Sequence, residues 1–378
     1  MDWAARIDAD LGSIRGQGRW RTNAVFDARG PVGCVDGREV VSFASNDYLG
    51  LSTHPAVVDA AHGALDRWGA GATASRLVVG TRPVHAQLET ALAEWRGTEA
   101  ALVFPSGYQA NLGVLTTLGG AGVTIFSDEA NHASIIDGCR LARADVVVYR
   151  HRDVGHLAES MAVAAGPRVV VSDAVFSMDG DEAPVAELAE LCAHHDAVLV
   201  LDEAHAVLGP HVGDVGCELV RIGTLSKALG SQGGFVAARQ AVIDLLVNRA
   251  RSFIFTTGLG PVSAAAALAA LNVTVSAEGV GLKRRLAAAV ERARPGCRSP
   301  ILPVVVGSEA AAVAASAALA ERGLWVPAIR PPTVPEGTSR LRIALSAAHT
   351  GAMVDQLVEA LAATGLGPAG GESSPALL

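Results

Sequence analysis

The segment Ala197-Val-Leu-Val-Leu-Asp-Glu-Ala-His205 is an apolar run that stops at an acidic pair followed closely by a histidine. Unbroken apolar runs of this length are typical of strands buried on both faces of a parallel sheet. Asp202 then falls at the carboxyl end of the strand, where such sheets bind their ligands. A buried carboxylate needs a partner because an unpaired buried charge is costly. That partner is either a structural cation or the protonated ring nitrogen of a cofactor.

Six further short apolar runs alternate with helical patterns on both sides of this segment. The six runs are 100–104, 123–127, 145–150, 168–172, 219–223 and 234–238, and with 197–202 they make seven. The alternation predicts an α/β domain on a mainly parallel seven-stranded sheet that is covered by helices on both faces.

The pattern changes after about residue 260, where helical stretches surround short strands and predict a smaller α+β domain. The predicted regions are an N-terminal segment over 1–45, a large domain over 46–260, a C-terminal domain over 261–364 and a tail over 365–378. The tail is rich in Gly, Ser and Pro, so we expect it to be disordered.

Composition excludes several classes of protein. With 30 Lys+Arg against 38 Asp+Glu, the net charge is −8, which argues against nucleic acid as the main ligand. The five cysteines are scattered without a C-x-x-C pair, so we expect neither a disulfide framework nor a metal site. The start lacks the order of a signal peptide and no apolar run is of membrane length, which predicts a cytoplasmic protein.

Only two of the 30 basic residues are lysines, Lys227 and Lys283. Arginine can serve as a surface cation, but it cannot replace a nucleophilic amine. Lys227 lies among small uncharged residues in Gly223-Thr-Leu-Ser-Lys-Ala-Leu-Gly230, where glycines leave room for a flat cofactor. Burial there would favour the unprotonated amine that a Schiff base needs, although an exposed loop lysine is the alternative. The surroundings of Lys283 are typical of a solvated helix face.

Four other positions are candidates. Ser106-Gly107-Tyr108 is a strand-to-helix turn that offers amides to a phosphate, and Thr224 can add a hydroxyl, although ordinary turns look similar. His132 and His205 each follow a strand end and could stack on a ring or move protons; an ordinary surface or core histidine is the alternative. Asp202-Glu-Ala-His205 also spells a helicase box, but no G-x-x-x-x-G-K-[ST] loop accompanies it.

Arg330 lies in the predicted smaller domain, within Ala-Ile-Arg-Pro-Pro-Thr-Val-Pro. Prolines restrict the backbone there, and a guanidinium held in place suits two-pronged recognition of a carboxylate. An arginine in a surface loop is the alternative.

Six collinear motifs resemble the α-oxoamine synthase family, which are pyridoxal-phosphate (PLP) enzymes of the aspartate-aminotransferase fold, fold type I. The motifs are Ser45-Asn-Asp-Tyr-Leu-Gly-Leu51, Ala74-Ser-Arg-Leu-Val-Val-Gly80, Phe104-Pro-Ser-Gly-Tyr-Gln-Ala-Asn111, Val175-Phe-Ser-Met-Asp-Gly-Asp181, Asp202-Glu-Ala-His205 and Gly223-Thr-Leu-Ser-Lys227. Two departures stand out: alanines in the loop over 69–75, and Gly260-Pro261 in place of a Pro-Pro pair.

The resemblance implies a role for each candidate. Lys227 would hold PLP covalently and move the Cα proton, Asp202 would pair with the ring nitrogen, and His132 would stack on the ring. Other implied cofactor contacts are Ser177 and His205 at the ring hydroxyl, and Ser106, Gly107, Tyr108 and Thr224 around the phosphate. Thr256 and Thr257 would reach the phosphate of a partner subunit, which makes a homodimer the expected assembly. Arg330 would bind the amino acid carboxylate, and Arg21, Asn46 and Thr333 would contact substrate or product.

Within the family, the segment 328–338, Arg340-Leu-Arg-Ile343 and Ala347-Ala-His349 most resemble the member that condenses L-alanine with a pimeloyl thioester for biotin synthesis. The thioester would be carried by coenzyme A or by acyl carrier protein. A sibling that uses glycine or another acyl chain is the nearest alternative. A PLP-binding regulator without activity is a more remote one.

Overall fold

The computed structural model of the chain describes residues 2–210, 212–213 and 215–366. The predicted tail lies outside the described residues from 367 onward. The strands are β1 Phe26–Ala28, β2 Val32–Val35, β3 Arg38–Ser42, β4 Ala100–Phe104, β5 Thr124–Asp128, β6 Asp145–Tyr149, β7 Arg168–Asp173, β8 Val198–Asp202, β9 Leu219–Thr224, β10 Gly234–Ala238, β11 Ile301–Gly307, β12 Leu324–Trp325, β13 Ala328–Ile329 and β14 Ser339–Ala344.

The helices alternate with these strands over the central part of the chain. They are α1 Trp3–Gly16, α2 Pro55–Trp68, α3 Pro83–Arg96, α4 Gly107–Leu118, α5 Ala133–Leu141, α6 Val154–Val163, α7 Val185–His194, α8 Gln240–Arg249, α9 Arg251–Ile254, α10 Pro261–Val275, α11 Ala277–Ala293, α12 Glu309–Ala320 and α13 Gly351–Ala363. A short 3-10 turn covers Leu51–Thr53, and a π-helical turn covers Arg76–Gly80.

The large unit, Asn46–Arg285, is built on a seven-stranded sheet in the order β4-β10-β9-β8-β7-β5-β6. All neighbours in it run parallel except β10, which is antiparallel to both β4 and β9. The predicted mainly parallel seven-stranded sheet is therefore confirmed. Alternate residues supply cores on opposite faces: Val200 joins one apolar cluster, and Leu199 and Leu201 join the other.

The smaller unit combines the two ends of the chain, Met1–Ser45 and Leu286–Leu378. It holds a sheet in the order β1-β2-β3-β12 and a second sheet in the order β11-β14-β13. His349 connects the chain ends: its ring stacks on Phe43 at 4.3 Å, and its Nε2 donates to the carbonyl of Ser42 at 3.0 Å.

This division differs from the predicted regions at two points. The predicted boundary at 260 precedes α10, but α10 packs against α2 and α3 of the large unit, because its alanine-rich surface is buried on several sides. The N-terminal segment over 1–45 is grouped with the C-terminal region, because β3 pairs with β12. Periodicity within a helix or strand carries no signal about such distant pairing.

No single helix among the described residues is long and apolar enough to cross a membrane. Helices α10 and α11 pass such a test only as a pair, which is bent by 80°. Over the same residues, no group of three or more His, Cys, Asp or Glu side chains is arranged to hold a metal ion.

Replacing a central side chain of the sheet should cost far more stability than replacing an edge one. Leu201 is fully buried in β8, so we expect Leu201→Ala to lower the free energy of unfolding by about 2–5 kcal/mol. Val148 on edge strand β6 is 57% exposed, and Val148→Ala should cost less than about 1 kcal/mol. Urea unfolding followed by circular dichroism measures both; equal losses would contradict the assignment of Leu201 to the core.

Candidate active site

Several of the predicted side chains follow the carboxyl ends of strands that run in the same direction in the sheet of the large unit. Asp202 ends β8, Thr224 ends β9, Ser106 follows β4, and His132 follows β5. In a parallel sheet these ends lie along one edge, so the chain returns to the same place after each strand. The site of the large unit is therefore assembled from strand ends and the loops that leave them.

Asp202 is a buried carboxylate held by neutral donors. Its Oδ2 accepts from Nδ2 of Asn111 at 2.7 Å, and its Oδ1 accepts from the amide of Ala204 at 2.9 Å. Among the described residues no salt bridge reaches it, so the structural cation left open by the sequence is not found there. The carboxylate is thus placed to stabilise a positive charge brought by a ligand.

Asn111 was not predicted as a site residue, although it ends one of the quoted motifs. It is 1% exposed, and its Nδ2 bridges Asp202 to the hydroxyl of Ser134 at 2.9 Å. Its Oδ1 is buried without a hydrogen-bond partner in the described part of the chain. Because buried polar atoms are nearly always paired, the unpaired Oδ1 is available to a donor of a bound group.

Asp173 is a second buried carboxylate, paired in register with Asp202 across β7 and β8. Burial raises its pKa well above the ordinary value, and the negative charge of Asp202 adds to this. Its Oδ2 accepts the backbone amide of His132 at 2.7 Å. Asp173 therefore fixes the backbone from which the predicted stacking ring extends, a role that no spacing in the sequence indicated.

His132 caps the N-terminus of α5 and presents a neutral ring. Its Nδ1 accepts from the amide of Ser134 at 3.2 Å, which assigns the proton of the neutral ring to Nε2. Burial lowers its pKa; Asp202 opposes the shift and Lys227 adds to it. A neutral, flat imidazole held by its backbone and one nitrogen is suited to stacking on another ring.

Lys227 and His205 form the centre of a hydrogen-bonded chain. Nζ of Lys227 lies 2.7 Å from Nε2 of His205, and Nδ1 of His205 lies 2.6 Å from the hydroxyl of Tyr48. That hydroxyl donates to Oδ1 of Asn46 at 3.1 Å. Since Tyr48 has one proton to give, His205 donates from Nδ1 and accepts at Nε2. The sequence singled out Lys227, His205 and Asn46 but missed Tyr48, which is fully buried in the first quoted motif.

The N-terminus of α4 faces Thr224 in a narrow cradle. Ser106 caps the helix, with its hydroxyl accepting from the amide of Gln109 at 3.1 Å. A Cβ added to Gly107 would lie 3.8 Å from Thr224, whereas one added to Gly234 would lie 2.5 Å from Gly107 itself. Glycine at 234 therefore keeps the helix end open, and helix N-termini with unoccupied amides bind phosphate groups.

Two other predicted cofactor residues, Tyr108 and Thr256, lie around this region with different surroundings. The hydroxyl of Tyr108 donates to the carboxylate of Asp137, which raises the pKa of Tyr108. Thr256 accepts from Nε2 of Gln109 at 3.3 Å, so within one chain it lies beside the first turn of α4. The predicted contacts of Thr256 and Thr257 with a partner subunit stay predictions, as do all the individual roles assigned to site residues.

The loop that carries Ser177 is held by a histidine that the sequence did not single out. His151 donates from Nδ1 to Asp128 at 2.9 Å and from Nε2 to Asp181 at 2.8 Å. Its ring packs edge-on against Phe176 at 4.3 Å. Burial opposes protonation, but the hydrogen bonds to both carboxylates outweigh it and raise the pKa of His151 to about 10.

The predicted substrate residues Arg330, Arg21 and Thr333 lie together in the smaller unit. The guanidinium of Arg330 donates to the carbonyls of Gly18 at 2.7 Å and Trp20 at 3.2 Å. Arg21 donates to the carbonyl of Pro331 at 3.1 Å, and the amide of Thr333 donates to the carbonyl of Arg330 at 3.1 Å. Carbonyl partners orient both guanidinium groups without neutralising them, which keeps them attractive to a carboxylate.

Several known proteins are similar to this chain over most of its length. The family model for aminotransferase class I and II matches residues 38–361. A relative from Anaeromyxobacter dehalogenans (strain 2CP-1), named 8-amino-7-oxononanoate synthase, is 51% identical over 98% of this chain and 98% of its own length. A solved structure of SPT with PLP has a TM-score of 0.90 at 29% identity, covering 97% of this chain and 100% of that one. An 8-amino-7-oxononanoate synthase from Francisella tularensis has a TM-score of 0.72 at 25% identity, covering 86% and 97%. The predicted fold class is confirmed.

Removing the Tyr48 hydroxyl should change the protonation of Lys227. In Tyr48→Phe the hydroxyl that accepts the Nδ1 proton of His205 is gone. The neutral ring can then carry its proton on Nε2 instead, and Nζ of Lys227 no longer has to donate to Nε2. We therefore expect Lys227 of cofactor-free Tyr48→Phe to be acylated with a lower pH midpoint than Lys227 of the wild type, because one hydrogen bond in the chain is lost. Mass spectrometry of the labelled peptide measures this.

Lys283, the other lysine, is the internal standard in the same spectra, and Tyr149→Phe is the matched variant at another buried tyrosine. A midpoint that is unchanged or higher in Tyr48→Phe would contradict the inferred direction of the hydrogen bonds.

The His151 contacts should stabilise the protein over a defined pH range. The pKa of His151 is about 10 in the folded state and about 6.5 in the unfolded state. The contribution of His151 to the free energy of unfolding is therefore complete below about pH 6.5 and is lost as pH rises through 10. His151→Gln should therefore reduce the unfolding free energy by roughly 1–3 kcal/mol at pH 6 and much less at pH 10.5. Urea unfolding at both pH values tests this, with the exposed His62→Gln as control; a pH-independent difference would refute it.

Proposed function

The chain belongs to the aminotransferase class I and II family, and from this premise we propose that it is a PLP enzyme acting as an 8-amino-7-oxononanoate synthase in biotin biosynthesis. Such an enzyme condenses L-alanine with a pimeloyl thioester and releases carbon dioxide and the carrier thiol. The observation that carries the proposal is the 51% identity to a synthase of that name over 98% of both chains. The arrangement of Asp202, His205 and Lys227 supplies the groups that this chemistry needs.

The residues at the strand ends fit PLP in charge and in shape. When bound, PLP withdraws electrons from the amino acid and so stabilises negative charge at its Cα. The carboxylate of Asp202, without a cationic partner among the described side chains, would keep the ring nitrogen protonated. The amides at the start of α4 and the hydroxyl of Thr224 would hold the phosphate, and the ring of His132 would lie on the face of the cofactor.

Lys227 has two tasks at its Nζ atom, which are attachment of the cofactor and transfer of the Cα proton of L-alanine. His205 accepts from Nζ at 2.7 Å and is itself oriented by Tyr48, so the amine is aimed by a buried network. A base must lie within hydrogen-bond reach of the proton that it takes, and a fixed amine meets that need. We assign Ser177 and His205 to the ring hydroxyl of the cofactor.

The carboxylate of L-alanine is assigned to Arg330, whose guanidinium is fixed by two main-chain carbonyls. A planar guanidinium held in this way suits bidentate recognition of a carboxylate. Arg21, Asn46 and Thr333 are assigned to the remaining parts of the substrate or product. The acyl group is carried by coenzyme A or by acyl carrier protein, and both carriers are compatible with these residues.

Assembly and location follow as further parts of the proposal. A homodimer would let Thr256 and Thr257 of one subunit reach the cofactor phosphate of the other. All five cysteines are free thiols, which supports a reducing compartment such as the cytoplasm. Neither a membrane nor a nucleic acid is needed for the reaction.

A sibling reaction with another amino acid is the second candidate. The observation in its favour is the TM-score of 0.90 to SPT, against 0.72 to the Francisella tularensis synthase. Sequence identity points the other way, at 29% to SPT and 51% to the Anaeromyxobacter synthase. Backbone similarity reports the fold, whereas function depends on the residues of the site, which sequence identity compares. We therefore favour the synthase.

Lys227→Ala should abolish turnover. Loss of the base and of the attachment point should reduce thiol release from pimeloyl-CoA by at least about 10³-fold. A colorimetric thiol assay measures the rate, and Arg284→Ala, at an exposed position, is the control for loss of one positive charge. Appreciable activity in Lys227→Ala would refute the assignment.

The choice of amino acid separates the two candidate reactions. We expect L-alanine to change the visible absorbance of the PLP-loaded protein at lower concentration than glycine or L-serine. Addition of pimeloyl-CoA should then release carbon dioxide only with L-alanine present. A response to glycine or L-serine alone would move the protein to a sibling reaction, and the absence of any cofactor band would overturn the proposal.

A further inference from the structure

The large unit contains a cavity that neither His205 nor Lys227 lines, although Thr224 does. Its volume is about 170 Å³, several times the roughly 10–15 Å³ that one enclosed water needs. Ala204 and Ala206 flank His205 in the chain, and Ala228 follows Lys227, so the wall of this cavity includes the neighbours of the catalytic side chains. The cavity thus adjoins the candidate active site, and it shares Thr224 with the region assigned to the cofactor phosphate.

The charged side chains that line it have a positive excess. Arg96, Arg221 and Lys283 are set against one carboxylate, Glu203. Glu203 accepts from Arg221 at 2.6 Å and lies 3.3 Å from Arg96, with side-chain exposures of 2%, 8% and 16% for Glu203, Arg221 and Arg96. One carboxylate therefore pairs with two guanidinium groups. The formal charge of the carboxylate, the two guanidinium groups and the Lys283 ammonium is +2 in total.

Two nitrogen donors in this lining lack acceptors, and one oxygen, Oε2 of Glu203, lacks a hydrogen-bond donor among the described residues. Nε of Arg96 is buried and has no hydrogen-bond partner within the described part of the chain. Lys283 is half-buried, and over the same residues no hydrogen bond or ion pair involves its ammonium group. Burial, with the charge of Arg96 second, lowers the pKa of Lys283. Buried donors and charges without partners are costly, so a bound acceptor of negative charge would relieve both.

The walls favour binding of an anion over simple hydration. The guanidinium of Arg96 lies over the ring of Trp95, with its carbon 3.8 Å from the ring centroid. Leu49 and Leu229 add apolar surface. An apolar wall limits competition from water, and a guanidinium fixed in a plane presents its donors to the oxygens of a carboxylate or phosphate.

We propose that this cavity binds a small oxyanion, a phosphate or a carboxylate group, which Lys283 and Arg96 hold against the Arg221–Glu203 pair. The site shares Thr224 with the region assigned to the cofactor phosphate, but its charged residues are different ones. Lys283 was predicted from the sequence to lie on a solvated helix face, and its place in the lining corrects that prediction.

Calorimetric titration of the PLP-saturated protein with inorganic phosphate, at constant ionic strength, tests the proposal. Saturation with PLP occupies the cofactor phosphate site, so that this site cannot account for the heat. We expect saturable binding of one phosphate per chain, weakened at least about tenfold in Lys283→Gln, since one charge-assisted hydrogen bond is lost. Arg284→Gln, at the exposed neighbouring position on α11, removes the same charge and should leave the affinity unchanged.

Competition by acetate identifies the kind of oxyanion. Displacement of phosphate by acetate would show that a carboxylate fits, and its failure would restrict the site to phosphate groups. The proposal is overturned if the wild type shows no saturable binding, if Lys283→Gln binds as tightly as the wild type, or if both variants lose affinity equally. None of these outcomes depends on turnover, so they are independent of the assignment of the reaction.

Discussion

One buried negative charge governs the layout of the candidate active site. Asp202 ends the central strand β8 at 6% exposure, and its carboxylate is held by the amide donors of Asn111 and Ala204. Neutral donors stabilise the charge without cancelling it. An arginine or lysine partner would cancel it. Next in register, burial and the charge of Asp202 raise the pKa of Asp173, which makes a second full negative charge there unfavourable. The site thus concentrates a single carboxylate at the point where a positive ring nitrogen would be most stabilised.

The groups around this charge are kept in place by partners outside the reaction centre. Asp173 holds the backbone of His132, Tyr48 orients His205, and His151 joins the strand end at Asp128 to the loop that carries Ser177. Each partner is at least partly buried and connects two different elements of the large unit. Site geometry therefore depends on contacts between strand ends and loops that are distant in the chain.

The sequence predicted the strands and the residues with chemistry of their own, and it did so for physical reasons. Buried parallel strands such as β8 read as unbroken apolar runs, and Lys227 stood out because lysine is otherwise nearly absent. Asn111, Asp173 and His151 were missed because their importance comes from hydrogen bonds to residues that are distant in the chain. The grouping of both chain ends in one unit was missed for a similar reason, since it rests on the pairing of β3 with β12.

The composition of the smaller unit sets an order of events during synthesis. The large unit is one continuous stretch, Asn46–Arg285, so its strands and Lys227 have all left the ribosome before residue 286 is made. The smaller unit needs β3 and β12, which are separated by the whole of the large unit. Domains fold as units while the chain grows, and closing so long a loop is entropically unfavourable until the intervening chain has compacted. A nascent chain therefore completes the surroundings of Lys227 first. The hydrogen bonds from Arg330 to the carbonyls of Gly18 and Trp20 form only after residue 330 has been made.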